Sequence, residues 1–157
     1  MIRRANQADA PALSRVLLRA AEALHGQDFS DAGWALLKQM NRSDAFAERF
    51  ESESYLALVY EVDDVIVGYI AMHDYEKIDH MFVLPEYQSR GIASTLWAQA
   101  SEACLLAGHG QYFWVRASSV AEPIYRGFGF CAVGERQLSQ GISAQLMEKG
   151  AKNDANE

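Results

Sequence analysis

The chain has 157 residues, half of them hydrophobic and 22% charged, with a net charge of −7 at pH 7. That is one domain's worth of chain with the balance of a globular protein, and no Lys/Arg cluster offers the basic face that nucleic-acid binding requires. No apolar run approaches a membrane span, and Met1-Ile2-Arg3-Arg4 lacks the apolar core of a secretory signal, so a cytoplasmic protein with no membrane partner is expected.

In chain order, Ile2 to Ala5 reads as a short first strand. From Gln7 onward, Leu13, Val16, Leu17, Ala20, Ala21 and Leu24 trace one face of a helix. His25 to Asp31 is a polar loop that ends on Ser30 or Asp31 as a helix cap, and Trp34, Leu37 and Met40 mark a second helix. Ser43 or Asp44 is placed to cap a third, with Phe46 and Phe50 inward. Tyr55 to Val62 and Val65 to His73 read as a β-hairpin across Asp63-Asp64, although no glycine supplies the positive φ that primed turns prefer. A turn at Asp74-Tyr75-Glu76 leads into a strand from Lys77 that Pro85 closes, completing an antiparallel meander. Ile92, Leu96, Ala100, Ala103, Cys104 and Ala107 then give a long helix. Gln111 to Val115 is a strand, and Ser119 with Glu122 fits a capping box for a short helix stopped by Gly127 and Gly129. Cys131 to Arg136 and Ile142 to Glu148 read as two closing strands. Residues 1–149 form a single domain, and 150–157 read as a disordered tail. Cys104 and Cys131 both lie in apolar surroundings and read as buried free thiols. No zinc spacing of cysteines and no His-Glu-x-x-His pair occurs, so no metal is expected.

The chemistry concentrates between Lys77 and Gly108. Gln88-Ser89-Arg90-Gly91-Ile92-Ala93 is a tight turn that feeds the long helix. A helix start presents unpaired N–H groups and the positive end of the macrodipole, both suited to an anion. Gly91 and Ala93 leave room for close approach, and Arg90 adds a cation. In an acidic chain, a polyanionic ligand needs this local help. The nucleotide fingerprints GxGxxG and GxxxxGK[ST] are absent. The strand-(Gln/Arg)-x-x-Gly-x-(Gly/Ala)-helix form resembles the coenzyme A pyrophosphate loop of the GNAT superfamily of N-acetyltransferases. Tyr125 followed by Gly129-Phe130 keeps that superfamily's Tyr-x-x-x-Gly-Phe spacing, and Ala121 stands where an Ala is usual. Ser118 stands where an Asn is usual; the Ser-x-x-Ala-x-Pro form resembles a bacterial subgroup whose substrates are mostly unassigned.

The resemblance implies an α/β (α+β) fold, a mixed, mostly antiparallel sheet of six to seven strands flanked by four to five helices. It implies a sheet that splays between its fourth and fifth strands, with a bulge in strand four. Freed backbone groups of Phe82, Val83 and Leu84 would bind the pantetheine arm of acetyl-CoA. Gln88 opens the loop whose amides, from Ser89 through Arg90, Gly91, Ile92 and Ala93 to Ser94, would bind the pyrophosphate, with Ser118 in the position of the cofactor-contacting Asn. The implied reaction is direct attack of a small-molecule or peptide amine on the thioester. Pairing through the last strands, giving a homodimer, is common in the superfamily.

Such a reaction needs a proton acceptor for the amine and a donor for the departing thiolate. Tyr125 is the candidate acid, set against an aromatic that merely plugs a helix–sheet interface. Asp79 and His80 are the candidate bases. Strand alternation places them on opposite faces, so that only one faces a given site; His80 also reads as a structural imidazole. Lys77 occupies the position where the family often carries an acidic residue, and Glu76 begins the strand. The segments His25 to Phe29 and Gln137 to Gly141 would flank the acceptor, and Asp28 is placed to attract a cationic amine. The alternative to an acetyltransferase is a non-catalytic acyl-CoA-binding sensor.

Overall fold

The computed structural model describes residues 1–151. β1 (Ile2–Arg4) leads to α1 (Ala10–Ala21), whose approach is fixed by a reciprocal Asn6–Asp9 capping box. α2 (Asp31–Met40) begins at Ser30, whose Oγ accepts the Gly33 N–H at 3.1 Å. α3 (Ser43–Arg49) is preceded by Arg42 as N-cap with no side-chain cap, rather than Ser43 or Asp44; the Asp44 carboxylate instead accepts the adjacent Ala45 N–H. β2 (Tyr55–Val62) and β3 (Val65–His73) form the expected hairpin. Asp63 and Asp64 themselves take φ of 51° and 63°, which a short polar side chain tolerates, so the turn forms without glycine. β4 (Lys77–Val83), α4 (Ile92–Leu106), β5 (Tyr112–Ala117) and α5 (Glu122–Gly127) follow in the predicted order.

The chain's close departs from expectation. Cys131 to Arg136 is not one strand: β6 (Cys131–Ala132) ends at a turn through Gly134 at φ 68°, and β7 (Gln137–Ser139) resumes beyond it. β8 (Ile142–Gly150) runs one residue past the expected boundary at 149, because Gly150 still pairs with Tyr112; positions 152–157 of the expected tail lie outside the described residues. Cys104 is buried as expected, but Cys131 is exposed on the edge strand β6.

The sheet order is β1-β2-β3-β4-β5-β8-β6, with β7 also on β8, and only the β4–β5 neighbours run parallel. This is a mixed, mostly antiparallel α/β fold. Burial is continuous from Ile66 to Met72 in β3, which requires cover on both faces. α1 packs on β3 and β4, and α4 on β2, β3 and β4. Leu13, Val16 and Leu17 of α1 and Leu96, Trp97 and Ala100 of α4 belong to one core with the central strands. Among the described residues, no helix is long and apolar enough to cross a membrane.

Candidate active site

The site begins at a defect in the sheet. Ala71 pairs with His80 and Met72 with Ile78, so Asp79 is an extra residue on β4, a β-bulge. Before it, β4 pairs with β5 through Lys77–Trp114 and Ile78–Val115; beyond it, the pairing stops and the sheet opens. The expectation that Phe82, Val83 and Leu84 all free their backbone groups is too broad. Leu84 N–H donates to the Val67 carbonyl at 2.8 Å, so by antiparallel alternation Phe82 also turns to β3. Val83 faces the opening, and its carbonyl accepts Gln88 Nε2 at 3.0 Å.

That hydrogen bond ties the strand to the loop. Ser89 (φ 62°) and Gly91 (φ 81°) turn the chain left-handed into α4, with Gly91 at the N-cap. The first intrahelical bond runs from Thr95 N–H to the Gly91 carbonyl at 3.0 Å, leaving the amides of Ile92, Ala93 and Ser94 with no acceptor in the helix and no side-chain cap. A Cβ on Gly91 would meet nothing within 4 Å, so the concavity is open. The Ile92 side chain is buried, so only its backbone can serve a ligand. The Arg90 guanidinium lies 5.2 Å from the Tyr87 ring centroid, and no described carboxylate pairs with it. Gln88 to Ser94 thus come together as a helix start with bare amides, a geometry suited to an anion.

Beneath the seam lies a cavity of about 600 Å³ whose wall includes Phe29, Asp79, His80, Phe82, Ser118 and Tyr125. Tyr125 is only 3% exposed and packs edge-on against Phe128 and Phe130. The sequence motif fixes it there: Gly129, at φ 97°, lets Phe130 N–H return to the Tyr125 carbonyl at 3.0 Å and close α5. Its hydroxyl makes no hydrogen bond to a described residue, and burial pushes its pKa up, so it holds its proton at neutral pH. The Ser119–Glu122 capping box does not form. Ser118 Oγ accepts the Ala121 N–H at 3.2 Å instead, while Ser119 donates its amide and hydroxyl to Asp28.

The bulge overturns the expectation that Asp79 and His80 face opposite sides: both line this cavity, with Asp79 Oδ2 and His80 Nε2 4.0 Å apart. His80 is packed among Phe46, Tyr69 and Phe82, with Nδ1 3.2 Å from the Tyr69 hydroxyl. Burial brings its pKa down to about 4 despite the neighbouring Asp79, so the imidazole is neutral. Burial also opposes the Asp79 charge, but the positive groups around it outweigh burial and its pKa lies below the usual value. With His80 neutral, Lys77 (3.5 Å away) and Arg49 are the cations that matter. Glu76 is engaged elsewhere, accepting Trp114 Nε1 at 3.2 Å.

The two expected acceptor-flanking segments do meet. Ser30 N–H donates to the Gly141 carbonyl and Ser143 N–H to the Asp28 carbonyl, at 2.9 and 2.8 Å. Gly33 is required at this junction, since a Cβ there would lie 2.1 Å from the Gly141 oxygen. Asp28, however, is not an exposed carboxylate awaiting an amine. It is 5% exposed and clasped by Arg136 Nη2 at 2.7 Å and Ser119 Oγ at 2.8 Å. Asn41, Arg49 and Tyr55 also line the cavity. No local motif marks them; only the tertiary fold gathers them.

An open parallel seam between a helix start with bare amides and a cavity holding a phenol and a carboxylate is an architecture that suits a long anionic ligand such as an acyl-CoA. The sequence matches the model of the acetyltransferase (GNAT) domain over residues 25–151, and the chain belongs to that family. No curated protein matches it significantly. Among solved structures, a GCN5-related N-acetyltransferase from Rhodopseudomonas palustris superposes with a TM-score of 0.82 at 22% identity, covering 96% of this chain and 95% of that one. PaiA N-acetyltransferase from Thermoplasma acidophilum, in complex with coenzyme A, gives 0.82 at 18% identity, over 96% and 98%. Ribosomal-protein-alanine N-acetyltransferase from Brucella melitensis gives 0.70 at 20%, over 96% and 99%. At these identities the structural likeness speaks to the fold.

Proposed function

We propose that this chain transfers an acetyl group from acetyl-CoA, the family's co-substrate, to a primary amine of a small molecule or peptide. The observation that carries the reading is Tyr125: a buried, protonated phenol in the wall of the opened seam, with no partner for its hydroxyl among the described residues. The pyrophosphate lies on the amides of Ser89 to Ser94, and the pantetheine arm runs past Val83. The amine nitrogen attacks the acetyl carbonyl carbon, a C–N bond forms, the C–S bond breaks, and the Tyr125 proton passes to sulfur. The bound ammonium gives one proton to water before the attack, which frees the lone pair, and the second proton, lost as the amide forms, returns through water to the phenolate. Asp79, held ionised, receives the ammonium rather than acting as a strong base; His80, near 4, is too weak a base and sets the site's shape. A phenol pushed up by burial remains matched to its task, because desolvation raises a thiol too: buried Cys104 is pushed up to about 11.

The test is CoA release across polyamines, aminoglycosides, amino acids and peptide N-termini, with Tyr125→Phe beside the wild type. The variant is expected to keep acetyl-CoA affinity and lose about 100-fold or more in kcat. Unchanged kcat removes Tyr125 from the mechanism. Acetyl-CoA binding with no release for any amine converts the reading to a non-catalytic acyl-CoA sensor.

A further inference from the structure

Three buried polar atoms have no hydrogen-bond partner among the described residues: Asn41 Oδ1, Arg49 Nη1 and the Tyr55 hydroxyl. All three residues line the cavity that holds Asp79 and Tyr125, and Asn41 and Tyr55 are only 3% and 5% exposed. A polar atom taken from water without a new partner loses its hydration for nothing in return, and folded proteins seldom leave three together.

These atoms are not the loose ends of mobile side chains. Asn41 is anchored by Nδ2 on the Leu37 carbonyl at 2.9 Å, and its own carbonyl accepts Ser14 Oγ at 2.6 Å. Arg49 spends Nη2 on the Met40 carbonyl at 2.7 Å and stacks on Phe46, 4.7 Å from the ring centroid. Tyr55 is set at the start of β2, edge-on to Phe50. Burial and Asp79 push the Tyr55 pKa up against the opposing Arg49 guanidinium, and no hydrogen bond of acceptable geometry joins Arg49 to the hydroxyl. Each residue is held by one set of contacts and left with one atom to offer.

What they offer is chemically complementary. Arg49 Nη1 is a cationic donor with no hydrogen-bonded acceptor among the described residues, and the Tyr55 hydroxyl can donate beside it. Asn41 Oδ1 accepts, and Asp79 supplies a fixed negative charge for an ammonium. The rest of the wall near α1 and α2 is apolar, including Leu24, Phe29, Leu37 and Ile142. A ligand that satisfies all of this carries an anion, an amine close to it and an apolar substituent. A polyamine or aminoglycoside brings no anion for Arg49.

We propose that the acceptor is an α-amino acid with a free carboxylate and an apolar side chain, its carboxylate on Arg49 and Tyr55 and its ammonium between Asp79 and Asn41. The product is then the N-acetyl amino acid, with CoA released as the thiol. The inference rests on the acetyltransferase reading and specifies its acceptor.

The test compares acetylation of L-leucine, L-methionine and L-phenylalanine with that of their carboxamides and decarboxylated amines, after calorimetry has measured acetyl-CoA binding. The amino acids are expected to exceed both analogues in kcat/KM by at least about tenfold, because a neutral replacement leaves the buried Arg49 Nη1 unpaired. Arg49→Met is expected to bring that ratio toward one, chiefly by raising KM for the carboxylates. Should Arg49→Met fail to fold after losing its Met40 contact, Tyr55→Phe, which removes only the hydroxyl, is expected to lower the same ratio several-fold. A wild-type ratio near one, a ratio unmoved in the variants, or bound acetyl-CoA with none of the three amino acids turned over would each overturn the assignment. Failure to bind acetyl-CoA would instead strike the transferase reading itself, and this inference with it.

Discussion

The Asp28 clasp allows a worked prediction. Its carboxylate accepts three hydrogen bonds, from Arg136 Nη2 at 2.7 Å, Ser119 Oγ at 2.8 Å and Ser119 N–H at 3.1 Å, in a residue 5% exposed. Removing one partner of a buried ion pair costs about 3–5 kcal/mol, mostly because the other charge is stranded. Arg136 is not fully stranded here. Its side chain is 31% exposed, and it keeps Ser143 Oγ at 2.8 Å and Glu122 at 3.7 Å. Asp28→Ala should therefore cost about 2–4 kcal/mol, or roughly 6–12 °C in Tm for a domain of this size. Urea unfolding followed by tryptophan fluorescence measures the loss, and an Arg136→Ala cycle should show coupling of about 1–3 kcal/mol. Because the pair is buried, the loss should persist in about 1 M NaCl, where a surface pair would be screened. The clasp joins the loop before α2 to the turn before α5, and none of its hydrogen bonds involves the Gln88–Ser94 loop. Acetyl-CoA affinity should then hold while the acceptor KM rises. A loss below about 1 kcal/mol, or one that vanishes in salt, would refute the reading of Asp28 as a buried clasp.

Two further outcomes follow from the same geometry. Gly91→Glu forces a non-glycine residue to φ 81° and sets a carboxylate where the pyrophosphate approaches, so calorimetry should show acetyl-CoA affinity weakened by about tenfold or more; an unchanged Kd would remove the loop from cofactor binding. His80 is neutral in the fold down to about pH 4, whereas an unfolded histidine protonates near 6.5, so the unfolded state binds more protons between those values. Stability should fall as pH falls through that window, by up to about 3 kcal/mol. The depressed Asp79 carboxyl adds its own loss only below its unfolded value of 3.8. Urea midpoints near pH 7.5 and 4.5 should show His80→Gln losing less than the wild type, and parallel losses would deny His80 this role.

What the sequence revealed is what is encoded locally. The Gln88–Ala93 loop, the Tyr125-to-Phe130 helix end and the Asp63-Asp64 hairpin each depend on residues within a few positions, and all form as read. The mispredictions at the candidate site came from properties shared between distant segments. The bulge at Asp79 exists only in the register of β4 against β3, and it alone turns Asp79 and His80 into neighbours in one cavity. Asp28 is separated from Ser119 by 91 residues and from Arg136 by 108, so no spacing rule could pair them. Asn41, Arg49 and Tyr55 each look ordinary in sequence, at two helix ends and a strand start. Cys131 reads as apolar because Phe130 beside it is buried, yet its own short edge strand leaves it in solvent.

The bulge is also where sheet and charge meet. By inserting Asp79, β4 stops pairing with β5, which opens the sheet for a long ligand, and the same inserted residue brings the cavity its carboxylate. A chain of net charge −7 would repel a polyanionic cofactor and hold a buried carboxylate poorly. Both problems are met locally. In the proposed function, Arg90 and the bare amides of α4 would meet the anion at the mouth, and Lys77 and Arg49 favour the ionised Asp79 within. Replacing Lys77 by methionine should therefore raise the Asp79 pKa and weaken acceptor binding at neutral pH while leaving acetyl-CoA affinity intact. Acceptor KM measured against pH reads this directly: the variant's acidic limb should move upward, and an unmoved limb would mean that Lys77 does not govern Asp79.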